Sequence, residues 1–165
     1  MGLLDVFRQP KTPIVQSILP QVAANEIMNG RLPILKTDKI FLRGGENCHY
    51  IDKAIYEKKI VRKRYVRRGG GYSVPGLFKG TRVNMGGGLT DVTDNVQYET
   101  HRGILYITNK RIIFHGEQEG FDIKLGDLVA IQPYSNCVEL QCSKGNYKLF
   151  VPNGVVTHAV LQLIR

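Results

Sequence analysis

The stretch Gly103-Ile104-Leu105-Tyr106-Ile107-Thr108-Asn109-Lys110-Arg111-Ile112-Ile113-Phe114 contains two apolar runs separated by four polar residues. The first run alternates between two sets of apolar side chains, and the second is a short apolar block that ends at Phe114. This spacing predicts a tight antiparallel strand pair that faces a core, with the turn at residues 108–111. The stretch indicates an architecture more clearly than an activity.

Strand-like patterns continue on both sides of this hairpin. A long first strand is predicted at residues 50–64, where apolar residues alternate with charges. Further strands are predicted at residues 65–68, 77–84, 96–107, 111–115, 121–124, 128–133, 137–142 and 147–151, with Gly, Asn and Ser marking the loops. Asn153-Gly154 then opens a short helical pattern. The order predicts a small antiparallel barrel, or two orthogonal sheets, followed by one terminal helix.

The two ends of the chain differ from this strand-rich middle. Apolar residues recur at helical spacing from Ile14 to Met28 and are interrupted by Pro20. They predict a kinked or two-piece amphipathic helix that begins at Thr12-Pro13 and either docks a partner or packs on the barrel. At the other end the helical pattern is still apolar at Arg165, which indicates either a fragment or a helix that continues. The predicted division is a helical segment with its connector at residues 1–38 and the barrel at 39–165.

The hairpin also carries a resemblance to a known family. Gly-x-Leu-x-x-Thr-Asn-Lys-Arg-Ile-x-Phe, followed by the stretch Ile123-Lys124-Leu125-Gly126-Asp127-Leu128 and a hydrophobic strand, resembles the core signature of GRAM-type domains of the pleckstrin-homology-like superfamily. The resemblance runs from about Leu42 to Val151. A glycine-rich insertion ahead of this hairpin is typical of a group of uncharacterised bacterial proteins of this type. The resemblance implies a small barrel plugged by a C-terminal helix, which binds partners without chemistry of its own.

Composition places the chain in one domain with an anionic partner. The 165 residues are enough for one substantial core. Lys and Arg number 23 against 14 Asp and Glu, a net charge of +9 that favours anions through long-range attraction. Three cysteines form no even disulfide framework, and no apolar run reaches the length of a signal or spanning segment. These features predict a cytoplasmic protein, with any membrane contact peripheral.

The positive charge is concentrated in one part of the chain. Residues 36–68 hold 11 basic and 4 acidic residues, so they carry +7 of the +9. Two glycine triplets bound a predicted mobile loop at residues 69–88, which adds two further cations. The candidate residues for binding an anion or partner are Lys58, Lys59, Arg62, Lys63, Arg64, Arg67, Arg68, Lys79 and Arg82.

Several functions are compatible with this basic stretch. Basic residues can simply keep an edge strand solvated and unaggregated. In lipid-binding pleckstrin-homology domains, which the chain resembles, a basic patch near the first strands holds phosphoinositide headgroups. Tyr56, Tyr65 and Tyr72 interleave the cations, a combination that also suits nucleic acid, although no recognised nucleic-acid motif accompanies them. The prediction is a binding or adaptor module for a protein partner or an anionic membrane surface, with DNA or RNA binding as the alternative.

No catalytic, metal or cofactor site is predicted. The glycine-rich sequence at residues 71–76 has the first spacing of a phosphate loop, but Leu77-Phe78 stand where Lys and Ser or Thr are needed. Cys48 and His49 are adjacent and would alternate to opposite strand faces, and Cys137 and Cys142 lack the spacing of a zinc knuckle. The remaining histidines and the acidic residues are dispersed, so the chain is not expected to be an enzyme.

Overall fold

The computed structural model describes residues 12–80 and 82–165, without the side chains of Tyr72, Val74, Asn84 and Met85. The first eleven residues of the predicted N-terminal segment thus lie outside the described residues. The elements, in chain order, are α1 (Gln21–Met28), β1 (Cys48–Arg68), β2 (Tyr72–Pro75), β3 (Arg82–Met85), β4 (Leu89–Thr108), β5 (Arg111–Gly116), β6 (Gly120–Lys124), a 3-10 turn (Leu125–Asp127), β7 (Leu128–Pro133), β8 (Cys137–Cys142), β9 (Gly145–Phe150) and α2 (Gly154–Ile164). The prediction of a mainly β chain with a C-terminal helix is confirmed.

Seven strands form one antiparallel sheet in the order β6-β5-β4-β1-β9-β8-β7, and β2 pairs with β3 in a separate hairpin. The sheet is not closed into a barrel. The predicted central hairpin is confirmed as β4 and β5, with Ile107 opposite Ile112 and Tyr106 opposite Ile113. Leu105 and Ile107 belong to the main core cluster, and Tyr106, which points to the other face by alternation, is buried outside that cluster.

Aromatic rings show how strongly the sheet curls. Phe121 lies on β6 and Tyr147 on β9, and three strands separate β6 from β9 in the sheet order. Even so, the centroids of the two rings are 4.5 Å apart. Tyr56 of β1 and Phe114 of β5 complete the cluster, with centroids 5.8 Å apart. The rings therefore meet on the concave face of the sheet, next to the buried aliphatic residues of the core.

The two helices contribute to the same core. In α2, Val160 and Leu161 are buried at 0% and 2% exposure, and the side chain of Asn153 caps the helix by accepting from the backbone N–H groups of Val155 and Val156. In α1, Ile27 is buried at 1% exposure within that cluster. Part of the apolar stripe therefore packs on the core, through Ile27, Leu19 and Ala24. The rest of the stripe is 47–94% exposed, namely Ile14, Ile18, Val22 and Met28.

The N-terminal helix is shorter than predicted, and its predicted start is wrong. Residues 12–19 are not helical, so Thr12 does not cap a helix. Pro20 has an extended backbone with ψ 136° and immediately precedes the first helical residue. The cause of the extended path lies in β1, where the buried carboxylate of Asp52 accepts from the hydroxyl of Ser17 and the backbone N–H of Ile18, both at 2.7 Å. Those bonds favour an extended chain over a first helical turn.

The chain divides into two compact units that share β1 and β4. The core unit comprises the residues up to Lys58 together with Thr100–Arg165, and the ribbon unit comprises Lys59–Glu99. The ribbon unit contains the second half of β1, the β2–β3 hairpin and the first half of β4.

Candidate functional site

The ribbon unit holds eight of the nine predicted binding residues. Lys59, Arg62, Lys63, Arg64, Arg67 and Arg68 lie on β1, Lys79 lies between β2 and β3, and Arg82 begins β3. All eight are exposed. The ninth residue, Lys58, belongs to the core unit and forms an ion pair with Glu119 at 2.5 Å, with 38% of its side chain exposed. Lys58 therefore belongs to a different unit from the other eight, and its hydrogen bond lowers the pKa of Glu119.

The two strands of the ribbon unit have two different faces. The guanidinium of Arg68 lies 3.7 Å from the carboxylate of Asp91, so these two side chains share a face. Because side chains alternate along a strand, this face takes the even-numbered residues of β1 and the odd-numbered residues of β4. Arg62, Arg64 and Arg68 lie there, so we name it the arginine face.

The opposite face has the larger share of exposed apolar and aromatic side chains. It carries five exposed side chains at 41–67% exposure, namely Val61, Tyr65, Val92, Val96 and Tyr98. Three cations, Lys59, Lys63 and Arg67, lie on the same face by alternation. We name it the tyrosine face. Each face thus presents three cations. The tyrosine face combines them with five exposed apolar or aromatic side chains, whereas the arginine face carries Val66 and Leu89 at 36% and 75% exposure.

The β2–β3 hairpin ends in an apolar turn that sequence reasoning did not assign to the site. Leu77 and Phe78 are 101% and 78% exposed, and Lys79 follows them directly. Gly80 closes the turn with φ +94°, a conformation that glycine adopts without strain. The predicted strand at residues 77–84 is wrong in its first half, because residues 77–80 form the turn and β3 begins at Arg82. The signal that could have found the turn is Gly76-Leu77-Phe78-Lys79-Gly80, in which glycines enclose two large apolar residues.

The glycine triplets lie side by side where the hairpin joins the two long strands. A Cβ on Gly86 would come within 2.7 Å of the Cα of Gly71, so a side chain at Gly86 would collide with backbone. The predicted glycine-bounded loop is consequently an ordered antiparallel hairpin, in which Tyr72 pairs with Met85 and Pro75 with Arg82. Glycine is needed here because two backbone segments approach closely.

The Thr-Asn-Lys-Arg turn, which carries the family resemblance, has a structural role in the core unit. The side chain of Glu46 is fully buried and accepts from the hydroxyl of Thr108 at 2.7 Å, from Nε of Arg111 at 2.8 Å and from the backbone N–H of Arg43 at 2.7 Å. Burial raises the pKa of Glu46, but these hydrogen bonds outweigh burial and lower it to about 2. Arg111 also donates to Asp122 at 2.6 Å.

The other two side chains of the turn, Asn109 and Lys110, bind the segment at residues 44–47 that precedes β1. Asn109 donates from Nδ2 to the carbonyl of Gly45 at 3.0 Å and accepts from the backbone N–H of Asn47 at 2.9 Å. Lys110 donates to the carbonyl of Gly44 at 2.5 Å. All four turn residues therefore hold residues 44–47 against the β4–β5 turn, which accounts for the polar sequence of the turn without a ligand.

The cysteines and the histidine beside one of them also have structural surroundings. Burial raises the pKa of the Cys48 thiol and of the Cys137 thiol to about 11 in each case. His49 is buried and donates from Nδ1 to the carbonyl of Pro33 at 2.7 Å. Within residues 12–80 and 82–165, no group of three His, Cys, Asp or Glu side chains is arranged to hold a metal ion.

A groove in the core unit has a cavity volume of about 730 Å³. Val15, Ile55 and Ile104 contribute apolar lining, and Lys53 and Arg102 contribute positive charge. None of the candidate binding residues predicted from the sequence lines it.

Comparisons of the chain with protein-family models, with curated proteins and with solved structures give no match. The resemblance to GRAM-type, pleckstrin-homology-like domains therefore stays a prediction. No helix in the described part of the chain is long and apolar enough to cross a bilayer.

Proposed function

We propose that this protein is a noncatalytic binding module whose ribbon unit engages an anionic membrane surface. The core unit is the scaffold, and within this proposal it is a pleckstrin-homology-like domain of the GRAM type. The observation that carries the proposal is the charge of the ribbon unit, where eight exposed cations stand against three acidic residues. The stretch from Lys58 to Thr90 contains no Asp or Glu at all.

The buried ionisable groups of the core unit support a noncatalytic role. Glu46 is occupied by hydrogen bonds from Thr108, from Arg111 and from the backbone N–H of Arg43. Asp52 is occupied by Ser17 and Ile18 of the N-terminal segment. A general acid or base needs a carboxylate that can reach a substrate proton, and these two hold the fold together instead.

Electrostatics favour a surface partner over a small ligand. Each Lys or Arg close to an anionic bilayer contributes about 1 kcal/mol, so the three cations of one face contribute about 3 kcal/mol, or roughly a hundredfold in partitioning. A flat anionic surface can contact all three at once because they recur every second or fourth residue of an extended strand. The exposed apolar groups of the tyrosine face add contact area at the headgroup level.

Vesicle binding tests this proposal. The full chain should cosediment with phosphatidylcholine vesicles that contain phosphatidylserine, should bind pure phosphatidylcholine far less, and should dissociate as salt is raised. Two variants with equal loss of charge compare the faces: Lys59, Lys63 and Arg67 changed to Ser, and Arg62, Arg64 and Arg68 changed to Ser. The tyrosine-face variant should lose more binding. Equal weak binding to both vesicle types would overturn the proposal.

Nucleic acid is the second candidate, and the tyrosine face favours it. Tyr65 and Tyr98 are 67% and 61% exposed on the face that carries Lys63, and exposed rings beside cations can stack unpaired bases. Single-stranded DNA binding that falls about tenfold or more when both tyrosines become Ala, with no preference for anionic vesicles, would select this candidate. Failure of both assays would leave a protein partner for the apolar side chains of this face.

A further inference from the structure

The turn of the β2–β3 hairpin exposes two large apolar side chains that are adjacent in sequence. Leu77 is fully exposed and Phe78 is 78% exposed. The core unit treats the same residue types in the opposite way, since Leu105 and Phe114 are each 1% exposed. Isolated apolar residues on a surface need no explanation, but an adjacent Leu-Phe pair at the end of a hairpin forms a compact apolar point.

Two cations lie close to this apolar turn along the chain. Lys79 follows Phe78 directly, and Arg82 lies opposite Pro75 at the start of β3. The nearest acidic residues along the sequence are Glu57 and Asp91, each more than ten positions from the turn. The end of the hairpin therefore combines apolar side chains with neighbouring cations, and no Asp or Glu is near it in sequence. This arrangement is complementary to an anionic bilayer, where the headgroup phosphates lie outside the acyl chains.

We propose that the β2–β3 turn inserts Leu77 and Phe78 into the headgroup and acyl boundary of an anionic bilayer, with Lys79 and Arg82 at the level of the phosphates. The inference rests on the proposed function and specifies how the membrane is engaged. Insertion is shallow, because the backbone groups of an open turn cannot leave their hydrogen-bonding partners in the hydrocarbon core. Lys79 can extend its aliphatic stem along the apolar side chains while its ammonium stays among the headgroups.

The chain contains no tryptophan, so a single introduced tryptophan reports its own surroundings. Leu77→Trp places the probe at a fully exposed position of the turn. Tyr134→Trp, at 48% exposure in the core unit, is the matched control. On phosphatidylserine-containing vesicles, the emission of Leu77→Trp should shift to the blue, and lipids brominated on the acyl chain near the headgroup should quench it. Tyr134→Trp should show neither change.

A second pair of variants separates insertion from electrostatic docking. Leu77→Ser with Phe78→Ser removes the apolar point and should weaken vesicle binding about tenfold or more. Val92→Ser with Val96→Ser removes two exposed apolar residues from the tyrosine face and should weaken it less. Circular dichroism checks that each variant keeps its strands.

The outcomes distinguish this inference from the proposed function. Anionic vesicle binding without a blue shift of Leu77→Trp, and without loss in the Leu77 and Phe78 double variant, would overturn insertion and leave the membrane function standing. Absence of binding to anionic vesicles by the unaltered chain would overturn both. A blue shift with quenching confined to Leu77→Trp would support insertion.

Discussion

The two units use the same kinds of side chain in opposite ways. The core unit buries apolar groups and satisfies its buried carboxylates with hydrogen bonds, as at Glu46 and Asp52. In the ribbon unit, none of the side chains that the structure describes is buried. The ribbon unit also carries a surplus of five positive charges in 41 residues, against four in the 124 residues of the core unit. A segment that neither buries its apolar groups nor neutralises its charges has its chemistry available for a partner.

This contrast also separates what stabilises the fold from what is available for binding. A two-stranded ribbon has little stability by itself, so β1 and β4 depend on the part of each strand that lies in the core unit. Changes in the core unit should therefore cost folding free energy, whereas changes in the ribbon unit should alter binding and leave folding nearly intact. The predictions below test that separation.

The largest effect is expected at Glu46. Glu46→Ala leaves the Arg111 guanidinium and the Thr108 hydroxyl without their buried acceptor, and breaking such a pair costs about 3–5 kcal/mol of unfolding free energy. Urea denaturation measures the loss. Asp94→Ala removes an exposed carboxylate from the ribbon unit and should change stability by less than about 0.5 kcal/mol. A loss below about 1 kcal/mol for Glu46→Ala would show that this carboxylate does not hold residues 43–47.

The same carboxylate predicts a pH dependence. The pKa of Glu46 is about 2 in the folded chain, below its ordinary value of 4.5, so the unfolded chain binds the proton more tightly. The associated stability is present above about pH 4.5 and is lost as the pH falls toward 2, to a total of about 3 kcal/mol. Denaturation at a series of pH values should show this loss in the unaltered chain. The loss should be smaller in Glu46→Gln, and parallel pH curves for the two proteins would contradict the assignment.

A smaller effect is expected where Asp52 holds the N-terminal segment. Asp52→Ala removes the acceptor of Ser17 and of the Ile18 backbone, which should cost about 2 kcal/mol because two hydrogen bonds to a charged acceptor are lost. Ser17→Ala removes one bond and leaves the other, so it should cost about 1 kcal/mol. Hydrogen exchange then locates the change: the amide of Ile18 should exchange faster in Asp52→Ala and remain protected in Ser17→Ala.

Sequence reasoning found the elements that local pattern determines. Alternation and turn residues predicted the β4–β5 hairpin and gave the exact bounds of β7 and β8. The predicted start of the N-terminal helix was too early. The extended backbone of residues 12–19 is favoured by hydrogen bonds to Asp52, which is more than thirty positions away in sequence. The role of the Thr-Asn-Lys-Arg turn was likewise invisible, since Thr108 and Arg111 meet Glu46 across more than sixty residues.

The sequence predicted which residues carry the positive charge of the candidate site, but not which side chains share a face. The run of cations marked the ribbon unit directly. Its division into an arginine face and a tyrosine face depends on which residues of β4 lie beside β1, and the contact between Arg68 and Asp91 provides that information. The apolar pair Leu77 and Phe78 is visible in the sequence, but its exposure is a property of the fold.

The smallest effect is expected at the ion pair between Arg68 and Asp91, and it gives the sharpest comparison of the two units. Both units contain a pair of arginine and carboxylate, but the side chains of Arg68 and Asp91 are 82% and 60% exposed, whereas those of Arg111 and Glu46 are 12% and 0% exposed. Water and salt screen the exposed pair, so a double-mutant cycle with Arg68→Ala and Asp91→Ala should give a coupling below about 0.5 kcal/mol.

The equivalent cycle with Arg111→Ala and Glu46→Ala should give a coupling several times larger, because water does not screen the buried pair. Raising the salt concentration should abolish the first coupling and leave most of the second. Equal couplings would mean that Arg68 is held as firmly as Arg111, and a cation held in that way is not available to an anionic surface. The proposed function requires Arg68 to leave Asp91 and contact the anionic surface. A coupling energy near zero between Arg68 and Asp91 means that this exchange costs little free energy.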